Sequence, residues 1–513
     1  MWRKFRTIPV AVLVAGLALG TAAAPAAADQ PGTRTAEKPR TVVTTDMEQD
    51  DLASLIRYLL YTNDVDTQGI VYTSSRFHWA GDGKGTLFFL PGREYTTPQT
   101  SWRWTGIHTI QDQVLPRYAE VYPNLRTHDK QYPSPQELLS KVKVGNIDFE
   151  GEMSADTPGS DLIRGLLLDN DPRPLYLQAW GGTSTIARAL KSIEERYSGT
   201  AKWAGIRDRV TAKAVILASG FQDTTYADYI APVWPGIRVE QMSAGYATWG
   251  YNCSRGQGNT RGLPADRVYF SGAWIKQNIQ TGPYGSLYRS WLDGQSMPGD
   301  QLDIFGDPNL APGGWCKPLS PYDFLSEGDN VAFNPLLDTG LRAPDNPLLG
   351  GWGGRATQTT TTPNLWTMVA RETDPTGASV NAYTTLRWAA AAQNDFAARI
   401  QWTLAPGYRQ GNHAPAVWIS GRDTVRARPG SVVTLTGHAT DPDRNAVALS
   451  WWQYREEGTY PGTVTVTPGA DGRAEVTVPA DAQPGQTISV ILQGTDNGGF
   501  PLTRYDRAVV QVS

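Results

Sequence analysis

The sequence predicts an α/β protein, a Rossmann-like and mostly parallel sheet flanked by helices, followed by an all-β immunoglobulin-like sandwich. Three observations carry this prediction. Arg40-Thr41-Val42-Val43 is a β-branched run, Leu52 to Leu60 repeats its apolar positions with helical spacing, and Gln68 to Tyr72 is again strand-like, so a β-α-β unit opens the fold. The turn between the first strand and helix is crowded with acids: Asp46, Glu48, Asp50 and Asp51. Beyond Pro415 the apolar period shortens to two, with strands separated by turn residues.

Met1 to Ala28 reads as a secretory signal. Arg3, Lys4 and Arg6 form a basic start, Ile8 to Leu19 an apolar centre, and Ala26-Ala27-Ala28 a small-residue cleavage site. Residues 29–39 follow as a polar leader, 40–404 as the α/β domain, 405–415 as a linker and plausible hinge, and 416–513 as the sandwich. The expectation is an exported protein with no membrane span after processing, because no later stretch approaches ~20 uninterrupted apolar residues. A net charge of -4 gives no electrostatic reason to expect a nucleic-acid partner. Eighteen Trp and 22 Tyr are many, and flat aromatic faces both stack on sugar rings and fill cores. Cys253 and Cys316 fit an exported chain as one disulfide, two free thiols being the other reading.

The acid turn is the centre of the functional argument. A strand-to-helix turn in an open α/β sheet lies at the carboxyl edge, where ligands bind, and the helix N-terminus adds partial positive charge. One acid suffices to cap a helix, so the surplus points to a hard cation held by oxygen ligands. After the second strand, Ser74 and Ser75 leave the same edge, and Arg76 to Arg103 reads as an aromatic-rich insertion over it. Ile107 to Tyr118 and Pro135 to Val142 read as helices. Pro174 to Gln178 is a buried-type strand running into Gly181-Gly182-Thr183-Ser184, a turn whose backbone approaches something closely. Lys213 to Ala218 is a further strand, opening into Gln222 and Asp223, and Ile237 to Met242 another. Tyr322 to Asn330 forms the last site segment. Leu341 to Gly377 lacks a core pattern, and Tyr383 to Trp402 returns to helix. In the sandwich, Asp441, Asp443 and Asp496 read as turn-capping acids in preference to a structural calcium site.

Thr44-Thr45-Asp46-Met47-Glu48-Gln49-Asp50-Asp51 resembles the metal-binding signature of the nucleoside hydrolase superfamily, in the wording of its secreted nucleoside hydrolase-like branch associated with cellulose-binding proteins. Gln393-Asn394-Asp395-Phe396-Ala397-Ala398-Arg399 is similar to the same branch, so the resemblance spans Arg40 to Leu404. It implies Ca2+ held by Asp46, Asp51, Asp329 and the Ser184 carbonyl, with Asp46 as catalytic base and Asp50 accepting sugar hydroxyls; Ser74 and Ser75 face the site from the end of the second strand, and Gln222 and Asp223 stand toward substrate where the family's Glu and Asn pattern is missing. The family's usual Asp two places before the first ligand is Thr44 here, and Gly328 stands where its His would be. None of His78, His108, His128, His413 and His438 lies next to a site motif in the sequence, which leaves Glu327 as the expected leaving-group acid. The implied activity is hydrolysis of an N- or O-glycosidic bond, more in keeping with an O-glycoside. Its substrate is a carbohydrate or nucleoside, including cell-wall polysaccharide. The alternatives are a carbohydrate- or cellulose-binding protein without turnover, and an extracellular nucleosidase.

Overall fold

The structure, a computed structural model, describes residues 37–242, 249, 266–290, 297, 299, 300, 327–368, 370–380 and 382–513. Its first sheet contains β1 (Arg40–Thr45), β2 (Asp66–Tyr72), β3 (Val142–Val144), β4 (Leu175–Ala179), β5 (Ala214–Ala218), β6 (Arg238–Gln241), β7 (Thr357–Gln358) and β8 (Leu365–Thr367). The strand order is β3-β2-β1-β4-β5-β6-β8-β7, and every pair is parallel except β7 with β8.

Every residue of β1 is buried, because the strand is flanked on both edges by neighbours and covered on both faces by helices. Alternate side chains enter opposite cores. Val43 packs with Leu55 and Leu59 of α1 (Gln49–Leu59) and with α2 (Leu115–His128), whereas Val42 packs with α4 (Pro158–Leu168), α5 (Ser184–Tyr197) and α6 (Trp203–Lys213). A short α3 spans Pro135–Lys141. The chain winds outward from β1 to β3, then returns to β4 on the other side of β1. That reversal opens a crevice at the carboxyl ends of β1 and β4. The strand ends are tied there by Trp180 N–H to the Thr44 carbonyl (2.9 Å) and Thr73 N–H to the Thr45 carbonyl (2.8 Å).

Helices α4 and α6, and the β7-β8 hairpin inside Leu341 to Gly377, go beyond the sequence reading. The hairpin's strands are two and three residues long and sit at the sheet edge, too short to leave a period. Helix α4 is announced only by local chemistry, a Thr157 cap, Pro158 at the first position and Ser160 completing a capping box.

After a small ribbon, β9 (Glu372–Thr373) and β10 (Ser379–Val380), the helix Ala389–Leu404 packs on the first core. The C-terminal sandwich comprises β11 (Ala416–Ile419), β12 (Thr424–Ala427), β13 (Val432–Thr440), β14 (Val447–Gln453), β15 (Val466–Pro468), β16 (Arg473–Thr477), β17 (Thr487–Asp496) and β18 (Thr503–Val512). Two sheets, β11-β13-β16-β15 and β12-β18-β17-β14, enclose Leu435, Val476, Val490, Leu492 and Val510. Asp441 and Asp496 accept backbone N–H groups of their own turns, as capping acids do.

The segment expected to act as a hinge is pinned. Trp402 Nε1 donates to the Asn412 carbonyl (2.8 Å), Asn412 Nδ2 donates to both Asp496 oxygens (3.1 Å), and His413 is buried against Asp443 (3.0 Å). Trp388 meets the rings of Trp452, Tyr454 and Tyr505, so the sandwich shares an apolar core with the α/β part. Among the described residues, no helix is long and apolar enough to cross a membrane.

Candidate functional site

The site begins where β1 ends. Met47 turns the chain with φ of 54°, a left-handed conformation that a side chain rarely adopts. The turn is held by Met47 N–H donating to Thr45 Oγ1 (3.0 Å), Thr105 Oγ1 donating to the Met47 carbonyl (3.1 Å), and Thr45 Oγ1 donating to Asp51 Oδ1. It delivers Asp46, Glu48, Asp50 and Asp51 to one place, all buried. Atoms of Glu48, Asp50 and Asp51 lie within 4.8 Å of one another, as do atoms of Asp46, Glu48 and His78. Burial, then the charges of Asp329 and Asp46, pushes Asp50 and Asp51 well above the usual carboxylate range. Burial raises Asp329 in the same way, with Asp46 and Glu48 adding to it. Among the described residues, both oxygens of Asp46, Asp50 Oδ1 and Asp51 Oδ2 have no hydrogen-bond partner.

His78 enters this cluster from the insertion after β2, which corrects the expectation of no histidine at the site. Its Nδ1 is 3.4 Å from Asp46 Oδ2 and 3.5 Å from Glu48 Oε2, and its Nε2 is 3.7 Å from Asp300 Oδ2. Burial opposes its charge, but Glu48, Asp300 and Asp46 outweigh burial and push the imidazole up to about 10. Asp300 is itself gripped by Arg103 (2.7 and 3.1 Å). The turn that presents His78 is built by Ser75, whose Oγ accepts the N–H groups of Phe77 (2.9 Å) and His78 (3.1 Å). A Ser-x-x-His leaving the strand beside β1 is the signal that sequence reading could have used. Trp79, Phe88, Tyr95 and Trp102 of the insertion form a small core of their own with Phe149, so these rings are packed together.

The turn after β4 closes the other side. A Cβ on Gly181 would lie 3.0 Å from Asp46 Cβ and Cγ, and one on Gly182 would lie 2.3 Å from Asp223 Oδ2, so only glycine admits this approach. Asp223 is spent on the turn, accepting Thr183 Oγ1 (3.0 Å), Ser184 N–H (3.0 Å), Thr225 N–H (2.9 Å) and Thr225 Oγ1 (2.7 Å). Ser74 Oγ donates to the Phe149 carbonyl (2.8 Å). The polar atoms of Ser74, Ser75 and Asp223 are thus engaged in bracing the site's walls. Gln222 donates to the Trp180 carbonyl (2.7 Å) and keeps a buried Oε1 with no hydrogen-bond partner among the described residues. Ser184 is the buried first residue of α5.

Glu327 lies in a different environment from that of a free acid. Arg57 Nε contacts both its oxygens (2.8 and 2.9 Å), and Asn330 Nδ2 donates to Oε2 (2.8 Å). Burial raises its carboxyl, and Arg57 acts against the rise. Arg57 also donates to Gln393 Oε1 (2.5 Å) and lies over Phe396 (4.0 Å), which gives the Gln393-to-Arg399 stretch a bracing task behind α1. Asp329 follows, with its N–H donating to Ser54 Oγ (3.1 Å) on α1. Cys253, Cys316 and residues 322–326 lie outside the described residues, and the disulfide expectation lies with them.

Carboxylate oxygens without partners, massed at a switch point and matched by one imidazole, fit a hard divalent cation. Fold and site together define a doubly wound α/β protein of nucleoside hydrolase type with an acid-rich centre. The chain belongs to the family described as cellulose-binding Sde182, nucleoside hydrolase-like domain, whose model matches residues 40–356. Residues 432–512 match the cellulose-binding protein Sde0182 C-terminal domain. A solved nucleoside hydrolase-related hypothetical protein from Saccharophagus degradans, described as associated with carbohydrate metabolism, shares the fold. It has a TM-score of 0.66 and 23% identity over 93% of this chain and 100% of its own. The effector protein XOO4466 is also matched, with a TM-score of 0.32 and 13% identity over 70% of this chain and 94% of its own, too distant for argument. No curated protein matches the sequence.

Proposed function

We propose that the chain is an exported, calcium-dependent glycosidase that hydrolyses an O-glycosidic bond in an oligo- or polysaccharide. The observation that carries this reading is Asp46, buried, with neither oxygen hydrogen-bonded among the described residues and with the His78 imidazole 3.4 Å away. Asp46, Asp51, Asp329 and the Ser184 carbonyl would hold Ca2+, which when bound would offset the acids' mutual repulsion and fix sugar hydroxyls and water. Asp46 takes the proton of the attacking water. His78, adjacent to Asp46, carries a proton to the departing oxygen, a task the sequence had assigned to Glu327. Asp50 and the Gln222 Oε1 accept sugar hydroxyls, and the surrounding carboxylates stabilise the developing oxocarbenium charge. Glu327 is a positioning residue that holds Arg57 behind α1. The carbohydrate class is supported by the family's description and by that of the S. degradans relative.

Burial of the whole centre favours a second reading, a carbohydrate- or cellulose-binding protein on a hydrolase-like scaffold, since Asp46 and His78 are fully covered. Steady-state kinetics on an O-glycoside separates the roles. His78→Gln is expected to lower kcat by ~10² or more, the usual worth of a general acid. Glu327→Gln is expected to lower thermal stability while kcat falls far less. Equal kcat in His78→Gln and wild type would refute the His78 assignment.

A further inference from the structure

Most aromatic side chains among the described residues are covered. Among the described residues only Phe89 and Tyr408 are aromatic and prominently exposed, at 44% and 39%. Tyr408 opens the short turn Tyr408–Gln410 after the helix Ala389–Leu404. Its ring lies flat on His413, with centroids 3.8 Å apart and 7° between planes. One face is thus taken, and the exposed surface is the opposite face and the edge. The platform is rigid, because His413 Nδ1 contacts Asp443 (3.0 Å), its Nε2 contacts His128 Nδ1 (3.1 Å), and its ring stacks on Trp402 (5.1 Å).

Beside this ring runs a groove of 840 Å3, bordered by Gln401, Arg409, Arg444, Asn445 and Phe500. That volume is in the range of small-ligand sites, about 300–1,000 Å3. Among the described residues, the side chains of Gln401, Arg409 and Arg444 have no protein partner. Arg444 occupies the left-handed region (φ 67°), held there by its N–H to the Asp441 carbonyl (3.2 Å). Asp443, the carboxylate of the groove, is engaged by His413, so the groove has no acid free for catalysis.

We propose that this groove is a non-catalytic oligosaccharide-binding site, separate from the acid centre, that takes a β-linked glucan chain. This inference rests on the carbohydrate reading above. Pyranoses with equatorial hydroxyls expose flat C–H faces that stack on an aromatic ring, and Tyr408 offers one that is already fixed in place. The guanidinium forks of Arg409 and Arg444 and the amides of Gln401 and Asn445 suit the vicinal hydroxyls at the ring edge. Binding here holds a polymer on the protein without consuming the centre at β1.

Calorimetric titration with cellohexaose tests the proposal. Wild type is expected to bind, Tyr408→Ala to bind roughly tenfold more weakly or worse, and Tyr408→Phe to stay within about threefold, since the ring carries the contact. Near-UV circular dichroism of Tyr408→Ala should match wild type, and its hydrolysis of a small soluble glycoside should be unchanged. Absence of cellohexaose binding by wild type, equal binding by Tyr408→Ala, or equal losses in the Ala and Phe variants would overturn it. Binding that disappears in Asp46→Asn and persists in Tyr408→Ala would place the sugar at the acid centre, sinking this inference and sparing the catalytic reading. Tyr408-dependent binding without hydrolysis of any glycoside would do the reverse.

Discussion

At the scale of single residues, the acids were legible and their partner was not. Asp46, Glu48, Asp50 and Asp51 are close in sequence, so one turn brings them together. His78 reaches Asp46 only because β2 lies beside β1 and Ser75 folds the chain back, which neither composition nor period encodes. The pairing of Glu327 with Arg57 is hidden for the same reason, since the two are remote in sequence. Gly181 gives the sharpest residue-scale test. An alanine there meets Asp46 at 3.0 Å and must displace either the acid or the turn. Calcium is expected to raise the melting temperature of wild type, because a ligand bound only by the folded state stabilises it. Gly181→Ala should need roughly tenfold or more calcium for the same rise, the usual worth of a contact that orients a ligand. Superimposable calcium titrations of the two proteins would show that the turn does not set the position of Asp46.

At the scale of elements, β1, α1, β2, β4 and β5 were readable because buried parallel strands are apolar runs and α1 has a clean helical period. The β7-β8 extension was hidden by its shortness, and the sandwich strands β11 and β12 by their four-residue length. Strand β6 carries a testable oddity. Glu240 is buried between β5 and β8, and burial pushes its carboxyl up to about 7 although Arg238 lies 3.1 Å away. A folded value above the ordinary 4.5 means that the folded state holds the proton more tightly. Its contribution is therefore complete below about 4.5 and is lost as the pH rises through about 7. Urea unfolding of wild type across that window should include a fall in stability with rising pH that Glu240→Gln removes. The same pH slope in both proteins would mean that Glu240 is ionised and well solvated.

At the scale of the whole molecule, the two halves expected from the change of period exist, but the join is a packed interface. Residues 38–513 form one compact unit. Asp395 on the helix Ala389–Leu404 is shared by Arg399 (2.9 Å) and by Arg504 of the sandwich (2.8 Å), and these arginines outweigh burial to hold it down to about 2. Arg504→Ala leaves a buried carboxylate short of one partner, so a loss of about 3 kcal/mol or more in denaturant unfolding is expected. A loss below about 1 kcal/mol, the range of exposed pairs, would mean that the sandwich is not anchored there. Sequence could supply the residues of this interface but not their meeting, since Asp395 and Arg504 are joined only by docking of the two folds. The central claim is that the buried acids and His78 form a cation-dependent centre for O-glycoside hydrolysis. The most direct measurement is product release by the purified protein from a panel of furanosidic and pyranosidic oligosaccharides, inosine and uridine, with calcium and with chelator. Calcium-dependent cleavage of an O-glycoside, absent in Asp46→Asn, is expected, with little or no base released from either nucleoside. Efficient inosine hydrolysis, turnover unaffected by chelator, or full activity in Asp46→Asn would contradict it.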